Sequence, residues 1–205
     1  VTKVMGLDTS MVLRFAEPLD VFGNRVDETG RSVSPSGHHL NPQEYLFRDG
    51  RYVSDSDRDF ELTRQAGEAV AESYRQNTVV LPTNFLGFLL FERERKASPQ
   101  RDLFTLLRTT GGERHARVDV SRQAVRLRER LIKLEQSGAL VLSESVRESP
   151  VEELLAEGVD ILSRYHLRPT VEQEEKGLYL RDPKMAFYSG NRLSPWAHDL
   201  REVIT

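Results

Sequence analysis

The side chains best suited to moving a proton are five histidines: His38, His39, His115, His166 and His198. A catalytic base needs a nucleophile or acid that the fold can bring within hydrogen-bond reach. None of the five has an aspartate five positions downstream. His115 has Asp119 four positions on, which on a helix makes an exposed neighbouring pair and not a dyad by itself. His38 and His39 stand near Glu44 and Asp49. Adjacent side chains cannot both turn to one metal as an i, i+4 pair can, and no third ligand has the right spacing, so the pair reads as exposed loop. No Gly-x-Ser-x-Gly elbow, Walker loop or dinucleotide fingerprint occurs. The chain has no cysteine, which excludes disulfides, thiolate catalysis and thiolate metal sites. Local motifs therefore point to no catalytic residue, no metal and no cofactor within these 205 residues.

The elements that would position any site centre on Val79 to Phe91, VVLPTNFLGFLLF, the most apolar run in a chain that is 30% charged. It is too short for a membrane span, which takes roughly 20 apolar residues. Pro82 suits a first helical turn, where its missing N–H costs nothing. From there Phe85, Leu86, Phe88, Leu89, Leu90 and Phe91 cover nearly every direction of a helix surface, as in a helix buried on all sides. Two readings follow. The run is a central core helix, or Phe85, Phe88 and Leu89 contact an acyl chain or a membrane. The net charge of −3 advertises neither nucleic acid nor an anionic membrane. Val1 to Ser10 has no apolar run long enough for a signal peptide, and the chain opens on Val, a hint that it is cut from something longer.

In chain order, Met11 to Leu19 alternates as a short strand with both faces apolar, with no obvious partner nearby. Asp20 to Ser56 is rich in turn signals, among them Asp27-Glu28-Thr29-Gly30 and Ser34-Pro35-Ser36-Gly37. A connection this long should hide short strands or a functional loop. Asp57 to Gln76 reads as a helix opened by Ser56 and Asp59, with Leu62, Ala66, Ala69, Val70 and Ser73 as its inner stripe. With the apolar helix it should form an antiparallel hairpin. Pro99 to Arg108 reads as a short helix with Leu103, Phe104, Leu106 and Leu107 inward, ended by Gly111-Gly112.

Asp119 to Ser137 is a strong helix with an apolar stripe through Val120, Ala124, Leu127, Leu131 and Leu134. Arg122, Arg126, Arg130 and Lys133 give it a basic stripe. Ala139 to Leu142 and Gly177 to Arg181 read as strands. If they pair, a winged-helix-like module with phosphate contacts is the alternative reading. A solvated helix face is the ordinary one, with the acidic helix from Pro150 to Tyr165 as a nearby partner. Asp182-Pro183 starts a further helix, and Ser194-Pro195 should restart the chain the same way. The fold class is α+β, mainly helical. Its expected parts are residues 1–22, a last strand; 23–56, an irregular connector; 57–112, a helical hairpin; and 113–205, a helical region with short strands.

Three stretches together resemble one family. Leu13 to Ser32, LRFAEPLDVFGNRVDETGRS, resembles the stretch after the last motif block of the phospholipid and glycerol acyltransferase domain, where a strand ends in a Gly-Glu-Pro-like turn; here it is Ala16-Glu17-Pro18. Asn77 to Phe91 and Lys184 to Leu200 resemble the helical C-terminal region of bacterial glycerol-3-phosphate acyltransferases. A Tyr-Arg-Asn-Arg-Leu-like helix is typical there; Tyr188-Ser189-Gly190-Asn191-Arg192-Leu193 departs from it by Ser-Gly. The resemblance implies the C-terminal strand and helical extension of an α/β acyltransferase domain. The whole enzyme would move an acyl group from acyl-CoA or acyl-carrier protein to glycerol 3-phosphate, at the cytoplasmic face of the membrane, peripherally and without nucleic acid. The family's His-x-x-x-x-Asp and its Pro-Glu-Gly block have no match here, so no catalytic or substrate-binding residue carries over and the segment alone should be inactive.

Overall fold

The computed structural model describes residues 12–108, 114–164, 169–175 and 177–204. The fold is α+β and mainly helical. The chain divides into two compact units, Val1–Asn77 and Thr78–Thr205. The division falls between the two helices expected to form a hairpin, so each belongs to its own unit.

The first unit is a string of tight turns followed by a helix. Strands β1 (Arg25–Val26), β2 (Ser32–Val33) and β3 (His39–Leu40) form an antiparallel meander, and β4 (Phe47–Arg48) and β5 (Arg51–Tyr52) form a hairpin. The turn signals of the expected connector are the corners of these strands. Asp27 accepts the Thr29 hydroxyl at 2.7 Å and the Thr29 and Arg31 N–H groups at 2.8 and 3.0 Å. Asp49 and Gly50 both take positive φ, the conformation that a two-residue hairpin turn requires. Helix α1 (Ser56–Gln76) is capped by Asp55, whose carboxylate accepts from Arg58 N at 3.0 Å, in place of the expected Ser56 cap. It buries no residue completely. Gly23 lies against Ala66 and Ala69, so the small stripe of α1 admits the meander's backbone. Residues 12–18 form no strand ladder, in contrast to the strand expected there. A single bridge joins Leu19 to Arg25, and Phe15 is 94% exposed.

The second unit wraps around α2 (Pro82–Ala97). Its entry is fixed by Asn84, whose Oδ1 accepts from Leu81 N at 2.9 Å. Strand β6 (Val79–Val80) before it pairs in parallel with β8 (Val141–Leu142). Around α2 lie α4 (Arg117–Gln136), α5 (Glu144–Glu148), α6 (Val151–Arg164) and α7 (Pro183–Gly190), and α3 (Leu103–Arg108) packs on α7. A three-stranded antiparallel sheet is ordered β7 (Arg114–Ala116), β10 (Gly177–Leu180), β9 (Val171–Glu174). Asp182 caps α7 as expected, accepting from Lys184 and Met185 N. After α7 the chain does not restart at Ser194-Pro195. It tightens into a 3-10 helix over Asn191–Trp196 with Pro195 inside it, and α8 (Ala197–Arg201) follows.

Phe85, Leu86, Leu89 and Leu90 are fully buried, and Phe88 and Phe91 nearly so. Each such side chain contributes on the order of 1.5–3 kcal/mol by leaving water. Close approach on two sides of α2 depends on glycine. A Cβ on Gly190 would lie 2.5 Å from Phe88 N and 2.7 Å from Phe88 Cα. One on Gly158 would meet Leu86 Cβ and the Pro82 carbonyl at 3.0 Å.

Gly190→Ala is expected to lower unfolding free energy by about 2–3 kcal/mol in urea titration, because backbone atoms must shift to admit the methyl. Gly67→Ala, at an open helical position, is expected to strengthen α1 by about 0.5–1 kcal/mol. The hydroxyl of Thr29, then the Arg31 N–H, lower the Asp27 pKa from 3.8 to about 2. A depressed folded value means that this turn's stabilisation is present above the ordinary carboxylate pKa and is lost as pH falls through about 2. The Asp27 carboxyl resonance should therefore titrate near 2 in the folded chain and near its ordinary value in urea.

Candidate functional site

Helix α2 does not stop where its apolar sequence stops. Its last turns carry Glu92, Arg93, Glu94, Arg95 and Lys96. Glu92 lies seven residues after Phe85 and four after Phe88, so it continues the buried stripe. It is 7% exposed. A carboxylate so placed loses its hydration and needs charged partners. Arg201 of α8 supplies a two-pronged one, Nε to Oε2 at 2.9 Å and Nη2 to Oε1 at 3.1 Å. Arg95, one turn on, adds Nε to Oε2 at 3.1 Å.

Glu92 and Arg201 of this cluster line two hollows. One is an open mouth of about 400 Å³ lined by Glu92, Arg201, Arg95, Lys96, Arg101 and Ile204, with Pro99 at its rim. Four cations face one carboxylate there. Lys96 Nζ also reaches the Ile204 carbonyl at 3.4 Å. The other hollow is a narrow slot of about 40 Å³ between α2, α7 and the 3-10 turn. Phe88, Phe91 and Phe187 form its apolar wall, Asn191 and Ser194 its rim, and Glu92 and Arg201 line it too. The Phe91 and Phe187 rings pack at 5.0 Å between centroids. The arrangement can hold an anion beside an apolar group.

A second buried cluster stands on the opposite side of α2's charged end. His115 is not on a helix beside Asp119, as its spacing suggested; it lies buried in β7, and Asp119 pairs with Arg122. His115 Nε2 faces Glu94 Oε1 at 3.2 Å, within ion-pair range but outside hydrogen-bond geometry. Its Nδ1 accepts from Arg93 Nε at 3.3 Å, and Arg93 also donates to Gln123. Burial pulls the Arg93 guanidinium below its ordinary pKa, with Asp119 opposing. Both facing atoms are buried without a hydrogen-bond partner, so the contact between them is one of ion-pair distance only.

The remaining candidates lie apart. Phe85, Phe88 and Leu89 meet protein on all sides; only Phe88 borders a hollow. Lipid contact through them would require the core to open. His38, His39 and His198 are exposed, and His39 lies 3.6 Å from Asp27. His166 and Gly111-Gly112 lie outside the described residues. Among the described residues no cluster of three metal-ligating side chains occurs, and no helix is long and apolar enough to cross a membrane. Expected inward residues Leu103 and Phe104 of α3 are exposed, and Leu106 alone is fully buried there.

The winged pairing does not form. β8 pairs with β6, and β10 pairs with β7 and β9. Within the basic stripe, Arg122 is paired with Asp119 and Arg130 with Asp199. The acidic helix instead supplies Glu152 to Arg117 at 2.8 Å. Comparison with protein-family models, with curated proteins and with solved structures finds no match for this chain.

Sequence reasoning passed over Glu92, Arg95 and Arg201. The available signal was that Glu92 keeps step with Phe85 and Phe88. Arg201→Ala is expected to destabilise the chain by about 2–3 kcal/mol in urea titration, since it strands most of a buried carboxylate while the arginines themselves are partly solvated. Glu92→Met combined with Arg201→Met should cost less than Arg201→Ala alone, because no charge is left buried.

Proposed function

We propose that this chain is the C-terminal part of a bacterial glycerol-3-phosphate O-acyltransferase. The whole enzyme moves an acyl group from acyl-CoA or acyl-carrier protein to the hydroxyl of glycerol 3-phosphate, in phospholipid synthesis, while seated peripherally at the cytoplasmic face of the membrane. The supporting observation is spatial. Two of the three stretches that carry the resemblance, 77–91 and 184–200, are a hundred residues apart in sequence, and their helices α2 and α7 form the tightest seam of the second unit. Asn84 Nδ2 donates to the Ser189 carbonyl at 2.9 Å, and Gly87 meets Gly190 backbone to backbone. The patches thus behave as one structural motif.

In this reading the chain's contribution is structural. The exposed Leu13 and Phe15 belong to a strand edge completed by the acyltransferase domain, which precedes residue 1 in the whole protein and carries the His-x-x-x-x-Asp base. The base activates the glycerol hydroxyl, and the second unit braces the domain from outside the reaction. No residue of this chain is assigned to the chemistry.

The test is to read the gene upstream of Val1 and assay the complete product with radiolabelled acyl-CoA or acyl-carrier protein and glycerol 3-phosphate. Lysophosphatidate from the complete protein, and none from residues 1–205 alone, is the expected result. Absence of a His-x-x-x-x-Asp in the preceding few hundred residues, or no transfer from either donor, overturns it.

A further inference from the structure

The hairpin of β4 and β5 carries two arginines that nothing in the first unit answers. Its register sets Arg48 directly across from Arg51 and Phe47 directly across from Tyr52. Like charges opposed in this way on a ladder repel. Elsewhere in the unit Arg14, Arg25, Arg31, Arg58, Arg64 and Arg75 each reach a side-chain oxygen. Arg48 and Arg51 are exposed and reach none among the described residues. The tight turn at Asp49-Gly50 fixes the two strands side by side, so the pair is held together in spite of its charge.

Successive residues of a strand point to opposite faces. One face of the hairpin therefore presents Arg48 and Arg51. The other presents the exposed rings of Phe47 and Tyr52, 6.2 Å apart between centroids. The hairpin also has an edge to offer. Val53 N donates to the Leu46 carbonyl at 3.0 Å, which makes Phe47 and Tyr52 the pair that exchanges no hydrogen bonds. Their N–H and C=O groups turn outward instead. The 3-10 turn Pro42–Tyr45 lies beside β4, whereas no strand pairs with the outer edge of β5 among the described residues. An open edge is a template for one more strand.

A strand of alternating acidic and apolar residues uses all three features at once. Its backbone bonds the outward groups of Tyr52, its acids lie on the arginine face, and its apolar side chains lie on the aromatic face. A bilayer or a nucleic acid would leave the edge unused and would meet repulsion. Between residues 44 and 59 the acids Glu44, Asp49, Asp55, Asp57 and Asp59 outnumber Arg48, Arg51 and Arg58, which disfavours a broad anionic surface. We propose that β5 docks an extended segment of alternating acidic and apolar residues from a partner protein. The inference makes no use of acyl transfer, so docking and transfer succeed or fail separately.

The test uses residues 1–205 and an end-blocked hexapeptide of alternating Glu and Val, followed by amide NMR titration. The comparison probes are a Glu-block/Val-block peptide of the same composition, an alternating Lys and Val peptide, and the Glu-Val peptide N-methylated at every residue. An oligothymidylate and phosphatidylglycerol vesicles stand for the other anionic partners. The alternating Glu-Val peptide should saturate one site, shift the amides of Arg51, Tyr52 and Val53, and bind about tenfold or more tighter than each comparison peptide. Arg48→Ala/Arg51→Ala, at exposed positions, should weaken it by about tenfold or more while the rest of the amide spectrum stays as it was. Arg48→Glu/Arg51→Glu should turn the preference to the Lys-Val peptide. No saturable binding, equal binding of the block or N-methylated peptide, indifference to Arg48→Ala/Arg51→Ala, or tighter binding of the oligothymidylate or the vesicles each overturns the proposal.

Discussion

The second unit depends on burying one helix from every side. Helix α2 has no polar face along its first ten residues, so water must be excluded all around it. Ordinary side chains hold helix axes some 8–10 Å apart. On the α7 side Gly87 and Gly190 put backbone against backbone. On the α6 side Gly158 does the same against Leu86. The buried charge follows from the same constraint. Once α2 is enclosed, the helix carries its stripe one turn further into charged sequence, and Glu92 and Glu94 are taken in with it. Desolvation then sets the requirement that each be met, by Arg201 and Arg95 for the first and by the imidazole of His115 for the second.

The first unit is held together differently. Among its described residues only Ser32 is buried, and α1 leaves Phe60, Val70 and Tyr74 exposed. Its order comes from short-range bonds: Asp20, Asp27, Ser34 and Asn41 each accept from a backbone N–H two to four residues on. Such turns fix a local shape without a core. Of the unit's exposed apolar side chains, Leu13 and Phe15 are those that the acyltransferase proposal assigns to a neighbouring domain.

Charge runs proved to be poor guides to partners. The basic stripe of α4 offered a phosphate-binding face as an alternative reading, yet Arg122 pairs with Asp119 on its own helix and Arg130 crosses to Asp199 of α8. The folded chain gathers cations instead at the mouth lined by Arg95, Lys96, Arg101 and Arg201. Arg95, Lys96 and Arg101 lie within one short window of the chain, and folding adds Arg201 from far downstream.

The sequence by itself determined the elements whose causes are local. Pro82 and Asp182-Pro183 marked helix starts, the Asp27 and Ser34 turns marked corners, and the all-round apolar run marked the central helix. It also determined that no histidine stands at catalytic spacing and no thiol exists. Tertiary structure decided everything that depends on which surfaces meet. Strand β8, read as a wing partner of β10, joined β6 instead, because a two-residue strand has no register signal of its own and takes the edge that packing offers. His115 moved from a supposed helix pair to a buried strand for the same reason. The Glu92–Arg201 pair spans 109 positions. Its existence follows from burial, which a linear sequence does not display, and only the enclosed core could decide that an acidic residue at the end of an apolar helix would be drawn inside.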